Sequence, residues 1–131
     1  MNKKLPRVFI VDDEHLIAQT LTIILQQSGF DAICFTDPRE ALKASVSGLP
    51  DLLLSDVMMP ELSGVDLAIA ILQACPECKI LLFSGHAGTV DLMSKVRAQG
   101  HKFHLLTKPL HPADLLRRIR EQDPSWALGA V

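Results

Sequence analysis

Short apolar runs recur along this chain, at intervals that each leave room for one helix and its turns. Val8-Phe9-Ile10-Val11, Leu52-Leu53-Leu54 and Ile80-Leu81-Leu82-Phe83 are apolar throughout. They read as buried strands, because a strand with one wet face alternates apolar with polar residues. Two weaker runs, Asp31 to Phe35 and about Lys102 to Leu106, keep the same rhythm. The segments between them carry apolar residues at helical spacing. Strand and helix in strict alternation predict an α/β fold built on a parallel sheet.

The helices have recognisable ends. The first runs from about Glu14 to Ser28, with Ile17, Leu21, Ile24 and Leu25 as its inward stripe and Gly29 as its stop. Asp37-Pro38-Arg39-Glu40 starts the second, with an acid to cap it and proline at its first position. That helix ends near Gly48-Leu49-Pro50. Ser63-Gly64-Val65-Asp66 starts a third, which runs to about Ala74 and is apolar almost all round from Leu67 to Leu72. Another is expected from about Thr89 to Gln99, with Val90, Met93 and Val96 inward. Pro112 and Asp114 open the last, which carries Leu115, Leu116 and Ile119. Residues 7–122 then form one domain. Residues 1–6 read as an N-terminal tail, and 123–131 as a C-terminal tail with Trp126 and Leu128. No internal repeat, linker or second domain is expected.

The runs end on useful chemistry. Val11 leads into Asp12-Asp13, Leu54 through Ser55 into Asp56, Phe83 into Ser84, and Leu106 through Thr107 into Lys108. In open parallel sheets, ligands gather at the carboxyl ends of the strands. Each acid alone is most simply a helix cap or a solvated loop charge; their joint placement is what points to a site. Three carboxylates on one edge repel, so one is protonated or a cation lies among them. An all-oxygen donor set with phosphate nearby suits Mg²⁺. Lys108 offers a point charge to a phosphoryl oxygen, Ser84 a hydroxyl, and Gly85 leaves space. The chemistry expected is attack of an ionised carboxylate on phosphorus to give an acyl phosphate.

Bulk composition narrows the alternatives. With 48% hydrophobic and 21% charged residues, the chain is suited to a compact core. A net charge of −2 offers no basic footprint for nucleic acid. No run approaches the length of a membrane span, and the basic start is followed by too short an apolar stretch for a secretory signal. A cytoplasmic location is therefore expected. Of the three cysteines, Cys34 reads as core. Cys75-Pro76-Glu77-Cys78 lacks a second pair for zinc and reads as two reduced thiols around a turn.

Val11-Asp12-Asp13-Glu14, Ser55-Asp56-Val57-Met58-Met59-Pro60, Gly64, Phe83-Ser84-Gly85 and Thr107-Lys108-Pro109-Leu110 together resemble the receiver domain of two-component response regulators. The resemblance covers about residues 7–122. It implies a flavodoxin-like (βα)5 fold, a doubly wound parallel sheet of strand order 2-1-3-4-5. It implies that Asp56 accepts phosphate from a sensor histidine kinase or a histidine phosphotransfer protein, with Ser84 and Lys108 on the phosphoryl oxygens. Asp13, Asp56 and the backbone carbonyl of Met58 would ligate Mg²⁺ directly, and Asp12 largely through water. Lys108-Pro109 would be cis. Such a protein catalyses only its own phosphorylation and slow dephosphorylation.

One departure from the family pattern concerns the switch. Relatives carry Tyr or Phe three residues before the lysine, where this chain has Leu105. Either His104 or Phe103 substitutes through a shifted register, or Phe103 and Leu105 pack in the core while His104 faces solvent. Met58, apolar, offers nothing to align an attacking water, so a long-lived phosphoryl group is expected. His86 is either a phosphate contact or a solvated loop residue. His15, His101 and His111 lack ligand spacing. Output is expected through protein binding, on the face made by the 89–99 helix, the fifth strand and the last helix. That face would include Met93, Arg97, His104, Arg117 and Arg118, and would also serve a dimer if one forms. Three rival readings are weaker. An aspartate-nucleophile phosphohydrolase needs a second acid where Met58 stands. A flavin or nucleotide module needs a glycine-rich phosphate loop. A pseudo-receiver signalling without phosphorylation has no need of the full residue set.

Overall fold

β1 (Arg7–Val11) is the strand on which the rest is assembled: it pairs in parallel with β2 (Asp31–Phe35) on one side and β3 (Leu52–Asp56) on the other. In this computed structural model, which describes residues 5–85, 94, 97, 100 and 103–126, β4 (Lys79–Ser84) and β5 (His104–Thr107) complete a parallel sheet of order β2-β1-β3-β4-β5. The helices are α1 (His15–Gln27), α2 (Pro38–Ser47), α3 (Gly64–Ala74) and α4 (Pro112–Glu121). The chain first builds outward from β1 to β2, then crosses to β3 and builds the other way. That reversal lies between β1 and β3, the strands that end in Asp12 and Asp56.

The unbroken apolar runs are explained by cover on both faces. Alternate side chains of a strand point to opposite sides. Val8, Ile10, Leu52, Leu54, Leu81 and Phe83 meet Leu21 and Leu25 of α1 and Leu115 and Ile119 of α4. Phe9, Val11, Leu53, Ile80 and Leu82 meet Ala41 of α2 and Val65, Leu67, Ala68 and Ile71 of α3. The stretch of α3 that is apolar all round is thereby accounted for, with Ile69 and Leu72 half-buried beside its buried face.

Helix ends follow local chemistry. The Asp37 carboxylate accepts from the Arg39 N–H at 2.9 Å, and the Ser63 hydroxyl accepts from the Asp66 N–H at 3.1 Å. Each satisfies an N–H that the first turn leaves unpaired. The buried stripe of α1 is Ala18, Leu21 and Leu25, with Ile17 only half-buried. Apolar spacing weighted by side-chain size does not foresee the burial of so small a residue as Ala18. β5 begins at His104, later than the apolar run implies. Ser94 and Arg97 are helical; the remainder of the helix expected at 89–99, including Val90, Met93 and Val96, lies outside the described residues.

Beyond Gln122 the chain still packs. Pro124–Trp126 forms a 3-10 turn, and the Trp126 ring meets Phe30 edge-on at 6.3 Å. Cys75 and Cys78 flank the turn from α3 into β4, where the Cys78 N–H donates to the Cys75 carbonyl at 3.1 Å. Burial pushes the Cys78 thiol up to about 12, the opposite of a reactive thiolate. Among the described residues, no helix is long and apolar enough to cross a membrane.

Candidate functional site

Asp56 is held by backbone. The ladder continues past it, with the Val57 N–H donating to the Phe83 carbonyl at 3.1 Å. The Ser55 hydroxyl donates to the Asp56 carbonyl at 2.9 Å. The loop after Asp56 returns so that the Gly64 N–H donates to the Val57 carbonyl at 2.9 Å. This brings the first residue of α3 against the end of β3. A Cβ on Gly64 would overlap the Asp56 carbonyl oxygen and lie 3.0 Å from Ser55 Oγ. Only glycine fits so close an approach of backbone to backbone.

The other groups reach the same edge. Asp12 is fully buried at the end of β1. Its Oδ1 accepts the Glu14 N–H at 2.9 Å, which fixes the carboxylate at the start of α1. Lys108 follows β5; its N–H donates to the Ser84 carbonyl at 3.1 Å, and its peptide bond to Pro109 is cis. Lys108 Nζ lies 3.4 Å from Asp12 Oδ2 and 3.3 Å from Asp56 Oδ2. Carboxylate oxygens of Asp12, Asp13 and Asp56 lie within 4.8 Å of one another, with Asp13 exposed and the other two buried. Ser84 is buried at the end of β4, opposite Thr107. Met58 sits beyond Asp56 with 51% of its surface exposed.

Burial raises the Asp12 carboxyl, and the Glu14 N–H and the Lys108 charge only partly oppose it. Burial alone would lower the Lys108 ammonium, but Asp12 and Asp56 outweigh it and raise it. Three carboxylates lie at this edge, and one lysine bridges two of them. An oxygen-only donor set with one buried, charge-averse acid fits a hard divalent cation.

Asp12, Asp13, Asp56, Ser84 and Lys108 therefore share one edge, while His86, Met93 and His101 lie outside the described residues. His15 and His111 are exposed. Phe103 is buried in the core on the α2 and α3 face, Leu105 packs half-buried against it, and His104 is exposed. This is the core-packing alternative, and it leaves no aromatic ring at the position of Leu105. Two residues carry more than their sequence setting conveyed. Gly64 belongs to the set of resembling residues, but its sequence setting conveys only a glycine at a helix start and not its close approach to Asp56. Phe83, read as the last apolar residue of a strand, places its ring 5.2 Å from Lys108 Nζ.

Comparison with known proteins agrees with this geometry. A family model described as "Response regulator receiver domain" matches residues 8–120. The chain is 32% identical over 114 residues to the DNA-binding response regulator MtrA of Mycobacterium tuberculosis, covering 87% of this chain and 49% of that protein. It is 32% identical over 120 residues to the Bacillus subtilis alkaline phosphatase synthesis transcriptional regulatory protein PhoP, covering 92% and 48%. The chain spans about half the length of these curated relatives. Among solved structures, a CheY-like receiver domain protein from Methanospirillum hungatei superposes with TM-score 0.82 at 26% identity, covering 94% and 97% of the two chains. The Vibrio cholerae chemotaxis protein CheY4 gives 0.80 at 26%, covering 91% and 99%.

Proposed function

The chain belongs to the response regulator receiver domain family of two-component systems, and on that footing we propose that Asp56 is its phosphoacceptor. The observation that carries the reading is the Lys108 ammonium shared between Asp12 and Asp56 at the strand edge. An Asp56 carboxylate oxygen attacks phosphorus, the bond from phosphorus to the donor breaks, and its electron pair leaves with the donor. Lys108 then meets the phosphoryl oxygens while keeping Asp12 as its partner, and the Ser84 hydroxyl donates to the same group. Asp12, Asp13, Asp56 and the Met58 carbonyl would hold Mg²⁺, which when bound neutralises these acids and polarises the phosphoryl group. The donor is a sensor histidine kinase or a histidine phosphotransfer protein. The phosphorylated form acts in the cytoplasm by binding a protein target on the face that carries Arg97, His104, Arg117 and Arg118.

Incubation with acetyl phosphate and Mg²⁺ tests this. One hydroxylamine-sensitive phosphoryl group per chain, mapped to Asp56 by borohydride trapping and peptide mass analysis, is the expected result. No adduct, or an adduct elsewhere, rejects it. Once the donor is removed, the adduct is expected to persist for many minutes or longer, because Met58 cannot orient water. Met58→Asn is expected to shorten its life by about tenfold or more, since positioned polar groups contribute at least that much to such steps. Decay of the wild-type adduct within seconds would refute this.

Mg²⁺ is also expected to stabilise the fold without any donor. At a hundred times its Kd it adds about 2.7 kcal/mol, read as a higher melting temperature than in EDTA. Asp13→Ala should remove most of that increment, since it takes away the exposed acid of the cluster.

A further inference from the structure

Among the described residues, the Lys108 ammonium has two acids and one ring around it. Nζ lies 3.3 Å from Asp56 Oδ2, 3.4 Å from Asp12 Oδ2 and 5.2 Å from the Phe83 ring centroid. Both acid contacts are long for charge-assisted hydrogen bonds, so neither clamps this long, flexible stem. The ring does not move easily. Phe83 is fully buried, lies in register with Asp56 on β3 and Leu106 on β5, and accepts the Val57 N–H on its carbonyl at 3.1 Å. It is the last residue of β4 to face α1 and α4, one position before Ser84.

We infer that Phe83 is a positioning residue for phosphoryl transfer, its ring face holding the Lys108 ammonium where it meets a phosphoryl group on Asp56. An ammonium within about 6 Å of a ring centroid is attracted to the negative face of the ring. The acids cannot hold Lys108 constant through the reaction. The Asp56 oxygen that attacks phosphorus gives up its charge to the new group, and Asp12 is itself one of the three acids that would face a bound Mg²⁺. The ring is a neighbour that neither phosphoryl transfer nor a bound cation alters. A leucine would fill the core as well but leave the ammonium with no such face. The inference rests on the phosphoacceptor reading of Asp56.

The test replaces Phe83 with 4-fluoro-, 3,5-difluoro- and 3,4,5-trifluorophenylalanine, which weaken the ring face stepwise at nearly constant shape, and with leucine. At saturating acetyl phosphate with Mg²⁺, the phosphorylation rate constant is expected to fall stepwise along the series. Phe83→Leu should lower it by about three- to tenfold, with the donor KM nearly unchanged. In metal-free protein, the ε-methylene protons of Lys108 are expected to resonate upfield of those of Lys43 and Lys79, and to return in Phe83→Leu. A flat fluorinated series with ordinary ε-methylene positions overturns the inference. A packing role alone predicts a change only in the leucine variant, together with its melting temperature, and likewise overturns it. Should the wild type take up no phosphoryl group, the reading of Asp56 falls, while the metal-free proton shift still decides whether the ring holds the ammonium.

Discussion

Asp56→Asn is expected to end phosphoryl uptake and leave the protein folded. An amide oxygen is a far weaker nucleophile than a carboxylate, and Asp12, the other buried acid, is not free to replace it. Asp12 is turned into the fold, with one oxygen on the Glu14 N–H and the other toward Lys108. Asparagine keeps the shape of the side chain. It loses attraction to Lys108 but also relieves crowding among Asp12, Asp13 and Asp56. These opposing changes should leave stability within about 1 kcal/mol of wild type. Intact mass after acetyl phosphate and Mg²⁺, beside a thermal melt of each protein, checks both halves. Labelling of the variant at the wild-type level would place the acceptor elsewhere.

Gly64→Ala is expected to damage both fold and site. The added methyl would overlap the Asp56 carbonyl oxygen, and backbone cannot rotate aside as a side chain can. Inserting a methyl into a packed site costs about 1–3 kcal/mol when side chains can adjust. The helix propensity gained from alanine is at most about 1 kcal/mol, so it offsets only part. A net loss of about 2–3 kcal/mol is expected, lowering the melting temperature by roughly 8–12 °C. Because the obstructing atom belongs to Asp56 itself, α3 can move away only by dragging or releasing the acceptor. Phosphorylation should slow by about a hundredfold even where the variant is fully folded. Gly48→Ala is the natural control. The atoms that its methyl would meet belong to the flexible Arg7 guanidinium, and a loss under about 1 kcal/mol is expected. Equal losses at the two positions would count against the carbonyl contact as the cause.

Much of the arrangement was legible in the chain because its strongest local signals agree. Unbroken apolar runs such as Leu52 to Leu54 admit few structures other than a strand covered on both faces. Each run ends on an acid, a hydroxyl or a lysine, so the parallel sheet alone brings those groups to one edge. The caps at Asp37 and Ser63 were readable for the same reason: short polar side chains before an apolar run have a local job that needs no tertiary information. What escaped the sequence depends on distances between elements. The buried stripe of α1 includes Ala18, whose smallness gives little signal in a sequence read for large apolar residues. The intimacy of α3 with β3 is set by Gly64, and the pairing of Phe83 with Lys108 joins residues far apart in sequence. Burial places Phe103 in the core and leaves His104 exposed, a choice that sequence alone leaves open where a phenylalanine and a histidine stand side by side.

The single tryptophan lies at the end of the sheet opposite to the acids. Trp126 packs on Phe30, which precedes β2, whereas the acids follow β1 and β3. A five-residue strand separates the two edges by roughly 15 Å. Its fluorescence therefore reports on the integrity of the α1 and α4 side of the core and is remote from events at Asp56. The molecule carries its own folding gauge, decoupled from its chemistry. Denaturation curves of every site variant can then be read from the same native signal, with no label and no correction for what the acceptor carries.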